Sequence, residues 1–132
     1  MRILIVDDSA MVRRGVAALL LAEPGWTICG EAASAQEAIE KARDLRPDLI
    51  LLDISMPGTS GLEIAPTLRA ELAQSKILVM SQHDSSQLMS TVRAAKADGC
   101  IDKTELGAVL VSSIKELFEK SPSKITPAMA AE

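Results

Sequence analysis

Five side chains able to do ionic or hydroxyl chemistry stand at the ends of short apolar runs. Asp7 and Asp8 follow Ile3-Leu4-Ile5-Val6, Asp53 follows Leu49-Ile50-Leu51-Leu52, Ser81 follows Ile77-Leu78-Val79-Met80, and Lys103 follows Gly99-Cys100-Ile101-Asp102. If each run is a strand of one parallel sheet, all five collect along its carboxyl edge, where open α/β sheets bind ligands. Each alone has an ordinary explanation. Asp8 or Ser9 can cap a helix, Asp53 can open a turn, Ser81 can be a strand-end hydroxyl and Lys103 a solvated surface lysine. Together they ask for more. Three carboxylates brought within a few ångströms repel one another, so the cluster calls for a hard divalent cation held by oxygens, which suits Mg²⁺. Such a cation would screen the oxygens of an incoming phosphoryl group, and a carboxylate is a nucleophile able to accept one.

The elements that must position these residues show in the periodicity. Apolar runs, including the weaker Thr27–Ala32 and Gly99–Asp102, alternate with amphipathic stretches, the pattern of a parallel sheet covered by helices on both faces. In the first helix Val12, Val16, Leu19 and Leu20 share one face, opposite Arg13 and Arg14. In the second, Ala35, Ala38, Ile39, Ala42 and Leu45 do so, and Ser34 with Glu37 forms a capping box. The third starts near Ser60, with Leu62, Ala65, Leu68 and Leu72 inward and Pro66 in its interior, where a bend or a late start is expected. A fourth helix is predicted from about Asp84 to Ala97, stopped by Gly99, and a fifth from about Thr104 to Glu119. The apolar face of the fifth is wider than one core stripe, which fits deep burial or a partner surface. The predicted fold is α/β: five strands and five helices in strict alternation, a doubly wound parallel sheet.

Size and composition agree with one globular domain. The chain has 132 residues, one domain by size and long enough for a single buried core. No apolar run approaches a membrane span, and the first strand begins where a signal peptide would sit, so no membrane association and a cytoplasmic location are expected. A net charge of −4 and the presence of only Trp26 and Phe118 as aromatics argue against direct nucleic-acid binding by this chain. Cys29 and Cys100 form no metal-ligand or redox spacing. After Lys120 the composition turns to serine, proline and alanine, so residues 1–119 are expected to form the domain and 120–132 a linker or disordered tail.

Four passages in order carry a family resemblance. Ile3-Leu4-Ile5-Val6-Asp7-Asp8-Ser9, Asp53-Ile54-Ser55-Met56-Pro57-Gly58, Ser81-Gln82-His83-Asp84 and Ala97-Asp98-Gly99 through Lys103 resemble the receiver domain of two-component response regulators. They are most similar to receivers of helix-turn-helix DNA-binding regulators. The resemblance implies a flavodoxin-like (βα)5 fold with strand order 2-1-3-4-5. It implies a phosphorylation-controlled switch that takes a phosphoryl group from a sensor histidine kinase. It further implies that Asp53 is the phosphoacceptor, that Asp8, Asp53 and the backbone carbonyl of Ser55 ligate Mg²⁺, and that Asp7 does so through water. Lys103 would pair with the phosphoryl oxygens, Ser81 would be the switch hydroxyl, and Ser55 and His83 would occupy positions that tune dephosphorylation. A homodimer, or an output protein meeting helices four and five, would be the further partner. One position departs from the pattern: Cys100 stands where receivers carry a tyrosine or phenylalanine.

Two readings compete with the switch. A Mg²⁺-dependent phosphatase with an aspartyl intermediate would be helped by an acid two residues after the nucleophile, where Ser55 stands instead. A receiver-like interaction module that is never phosphorylated has the cysteine at position 100 as its one support.

Overall fold

The computed structural model describes residues 1–54, 61–81 and 96–119. Its strands are β1 (Arg2–Val6), β2 (Thr27–Ala32), β3 (Leu49–Asp53), β4 (Lys76–Ser81) and β5 (Gly99–Asp102). All neighbouring pairs are parallel, in the order β2-β1-β3-β4-β5. The described helices are α1 (Ala10–Leu21), α2 (Ala35–Leu45), α3 (Gly61–Glu71) and α4 (Leu106–Glu119), the last being the fifth helix of the sequence reading. The expected fourth helix, from about Asp84, falls largely outside the described residues.

Period-two alternation divides the core. Leu4, Val6, Ile50, Leu52, Ile77 and Val79 face α2 and α3, where Ala38, Ala42, Ala65 and Leu68 meet them. Ile3, Ile5, Leu49, Leu51, Leu78 and Met80 face α1 and α4, meeting Val16, Leu20, Leu110 and Ile114. Strands buried on both faces must be apolar throughout, so β1, β3 and β4 read as unbroken hydrophobic runs.

Helix ends follow local chemistry. Ser34 caps α2, its hydroxyl accepting from the Glu37 amide at 3.2 Å, while Glu37 Oε1 accepts from the Ala33 amide at 2.7 Å. That bond holds the Glu37 carboxyl below the usual carboxylate range. At the other end Arg46 takes a left-handed conformation (φ 47°), and the Arg2 guanidinium covers the carbonyls of Leu45 and Arg46. The third helix runs through Pro66 without interruption from Gly61, one residue after its expected start.

Two expectations are corrected. Gly99 is not a helix stop. Lys96 already lies in the left-handed region (φ 71°), and Gly99 opens β5, where a Cβ would come 3.2 Å from Leu78 Cδ1 and 3.5 Å from Leu117 Cδ2. The last helix does not begin at Thr104 as α-helix. A 3₁₀ turn, Lys103–Glu105, comes first because the Asp102 carboxylate accepts from the Thr104 amide at 2.9 Å.

β2 departs from regular pairing. Ile3 is opposite Ile28 but Leu4 is opposite Gly30, so Cys29 is an extra residue and the pair forms a bulge. Cys29 and a Cβ on Gly30 would both lie on the α2 side, the latter 2.7 Å from Leu45 Cδ1. Glu31 and Ala32 thereby fall opposite Ile5 and Val6.

Cys29 and Cys100 are free and lie on opposite edge strands. Four strand spacings of about 4.8 Å put them roughly 19 Å apart, against the ~7 Å a disulfide needs between Cα atoms. Burial pushes both thiols up, which slows oxidation further. Non-reducing peptide mapping of native monomer is expected to show no Cys29–Cys100 link; finding one would contradict the strand order.

Candidate functional site

At the carboxyl edge of the sheet the chain turns sharply after β1. The Ser9 hydroxyl caps α1, accepting from the Val12 amide at 3.2 Å. The Ser9 amide in turn donates to Asp7 Oδ1 at 2.9 Å. Helix capping therefore uses Ser9 and leaves Asp8 out, which removes the ordinary explanation for Asp8. Asp7 points inward and is fully buried; Asp8, the next residue, is exposed.

Asp53 ends β3, the neighbour of β1, and is buried. Lys103, just past β5, reaches back across the edge. Its Nζ lies 2.7 Å from Asp7 Oδ2 and 3.1 Å from Asp53 Oδ2, and its side chain is 9% exposed. The reading of Lys103 as a solvated surface lysine is thereby excluded. Burial works against its ammonium, but the adjoining Asp7 and Asp53 carboxylates outweigh this and hold its pKa above that of a free lysine. Ser81, at the end of β4, is fully buried, one residue past the Met80 that pairs with Asp53.

The structure thus brings Asp7, Asp8, Asp53 and Lys103 together and sets Ser81 on the adjoining strand. Ser55 and His83 lie outside the described residues. Carboxylate oxygens of Asp7, Asp8 and Asp53 lie within 4.8 Å of one another. Three carboxylates against one ammonium leave two negative charges at a partly dry edge. Asp7 Oδ2 has no aligned hydrogen-bond donor among the described residues, only the ammonium at ion-pair distance. An all-oxygen set with excess negative charge and one arm open to solvent fits a hard divalent cation.

One feature escaped the sequence reading. Arg13, placed there on the solvent side of α1, has a side chain only 18% exposed. Its Nε donates to Glu31 Oε1 at 2.8 Å and its Nη1 to the Asp7 carbonyl at 2.5 Å. Neither partner is a helical neighbour, so no local spacing marks the contact.

Comparison with known proteins sets the arrangement beside others. A family described as the response regulator receiver domain matches residues 3–115. The nitrate/nitrite response regulator protein NarL of Escherichia coli (strain K12) is 41% identical over 101 residues, 76% of this chain and 47% of that protein. The transcriptional regulatory protein LiaR of Bacillus subtilis (strain 168) is 34% identical over 121 residues, 92% of this chain and 57% of that one. The chain spans about half the length of these curated relatives. Among solved structures, a two-component response regulator of the LuxR family from Aurantimonas sp. SI85-9A1 superposes with a TM-score of 0.83 at 32% identity, covering 94% of this chain and 91% of that one. The signal receiver domain of the putative response regulator NarL from Mycobacterium tuberculosis gives 0.81 at 28% identity, covering 90% and 96%.

Proposed function

Since this chain belongs to the response regulator receiver domain family, we propose that it accepts a phosphoryl group from a sensor histidine kinase on Asp53, with Mg²⁺ bound beside it. The observation that carries the reading is Lys103 Nζ within 3.1 Å of both Asp7 and Asp53, with the Asp8 carboxylate alongside. An Asp53 oxygen bonds to phosphorus as the bond from phosphorus to the donor breaks, leaving an acyl phosphate. The Lys103 ammonium, already poised between two carboxylates, pairs with the phosphoryl oxygens as a point charge. The buried Ser81 hydroxyl turns toward the phosphorylated Asp53. Asp8, Asp53 and the Ser55 carbonyl would hold the cation, with Asp7 acting through water. When bound, the cation would supply charge that offsets the phosphoryl oxygens.

The chain itself is a signalling switch rather than an enzyme acting on an outside substrate. Output is read as protein contact through the expected fourth helix and α4, within a homodimer or with an output protein, with residues 1–119 as the domain and 120–132 as linker or disordered tail. Among the described residues no helix is long and apolar enough to cross a membrane. A cytoplasmic site of action is part of the proposal.

Acetyl phosphate supplies the test. Intact-mass analysis is expected to show one added phosphoryl group with Mg²⁺ and none with excess chelator. Equal labelling under chelation would remove the cation from the reading. Asp8→Asn is expected to lose most Mg²⁺ affinity by calorimetry yet melt no lower in metal-free buffer, because less like charge remains at the edge. Unchanged affinity would show that Asp8 is not a ligand.

A further inference from the structure

We infer that Arg13 is a positioning residue for the cation-binding turn at Asp7-Asp8, and that Glu31 aims it. The inference rests on the proposed cation site and concerns residues that do not touch the ion.

Three polar atoms of Asp7 are hydrogen-bonded and the fourth faces an ammonium. Its amide donates to the Ala32 carbonyl at 3.0 Å, its Oδ1 accepts from Ser9, its Oδ2 faces Lys103, and its carbonyl accepts from Arg13 Nη1. The first of these clamps is made by the backbone, and the Ser9 and Lys103 contacts hold the carboxylate. Among the described residues only Arg13 contacts the carbonyl oxygen, in the peptide plane that leads to Asp8. Asp8 therefore hangs, exposed, from a peptide plane whose orientation Arg13 sets.

Arg13 is itself held. Its Nε is tied to Glu31 Oε1, and the Glu31 carbonyl accepts from Lys41 Nζ on α2 at 2.5 Å. The β2 bulge is what brings Glu31 to this face. Were the same residues paired regularly, Glu31 would fall opposite Val6 and face α2 rather than α1. A helix, a bulged strand and the acidic turn are thus linked through a two-armed guanidinium, a geometry lysine cannot reproduce.

Charge and position predict opposite signs. Arg13 is a cation near a cation site, so removing it should tighten Mg²⁺ binding if only charge matters. Loss of a group that orients a ligand weakens metal affinity, by about tenfold at the lower end of such effects. Mg²⁺ calorimetry on the 132-residue chain, with urea unfolding in metal-free buffer as the folding control, separates them. Arg13→Gln and Arg13→Lys are both expected to bind Mg²⁺ about tenfold more weakly than wild type. Glu31→Ala should also weaken binding, while Glu31→Gln, which keeps an acceptor for Nε, should stay within about twofold, the screened effect of one rim charge. If Arg13→Gln does not fold, the contrast between the two Glu31 variants decides. Arg13→Gln binding as tightly as wild type or tighter, or Glu31→Ala matching Glu31→Gln, would overturn the inference alone. Wild type failing to bind Mg²⁺ would overturn both the inference and the cation site.

Discussion

Asp53→Asn is expected to show no phosphoryl label at all under conditions that label the wild-type chain, and to unfold at no lower urea concentration. The amide keeps the shape of the carboxylate and an oxygen to accept from Lys103, but it is not the nucleophile the transfer needs. It also removes one of two buried negative charges that share a single ammonium, so the folded state loses little. The two readouts separate chemistry from structure: label lost with stability kept assigns the role to Asp53. Labelling at the wild-type rate would mean that another side chain accepts the group.

Lys103→Met should be the most damaging substitution at the site. It leaves Asp7 and Asp53 buried beside each other without the ammonium that each contacts. Stripping a buried ion pair of one partner costs about 3–5 kcal/mol, a large part of the stability of a domain this size. In chelator, urea unfolding should show that loss. Added Mg²⁺ should restore more stability to the variant than to wild type, because a cation that binds only the folded state now meets more uncompensated charge. Equal stability of the two proteins in chelator would mean that Lys103 is not the electrostatic keystone of the edge.

Much of this is legible in the sequence. Strand-forming apolar runs and the helix faces follow from buried periodicity, and even the weak run Thr27–Ala32 is β2 as read. The Ser34–Glu37 box is local chemistry, confined to one turn, and so the sequence carries it whole. Lys103 was harder. A lone lysine after a strand has no local mark of burial; only its company across three strands reveals it. Arg13 was misread because its partners, Asp7 and Glu31, lie on other elements, and because the bulge that aligns Glu31 leaves no pattern in residue types. What a sequence conceals here is contact made possible by a fault in a regular repeat.

That fault also decides where β2 can change length. In an ordinary strand the loss of one residue exchanges the two faces for everything that follows. Here Cys29 and Gly30 already share a side, so deleting Cys29 leaves Ile28 under α1, Gly30 beneath Leu45 and Ala32 in its present core. Deleting Gly30 instead would set a cysteine where a Cβ comes 2.7 Å from Leu45 Cδ1, so that Leu45 has to shift. The strand carries one spare residue, and Cys29 is the cheaper of the pair to give up.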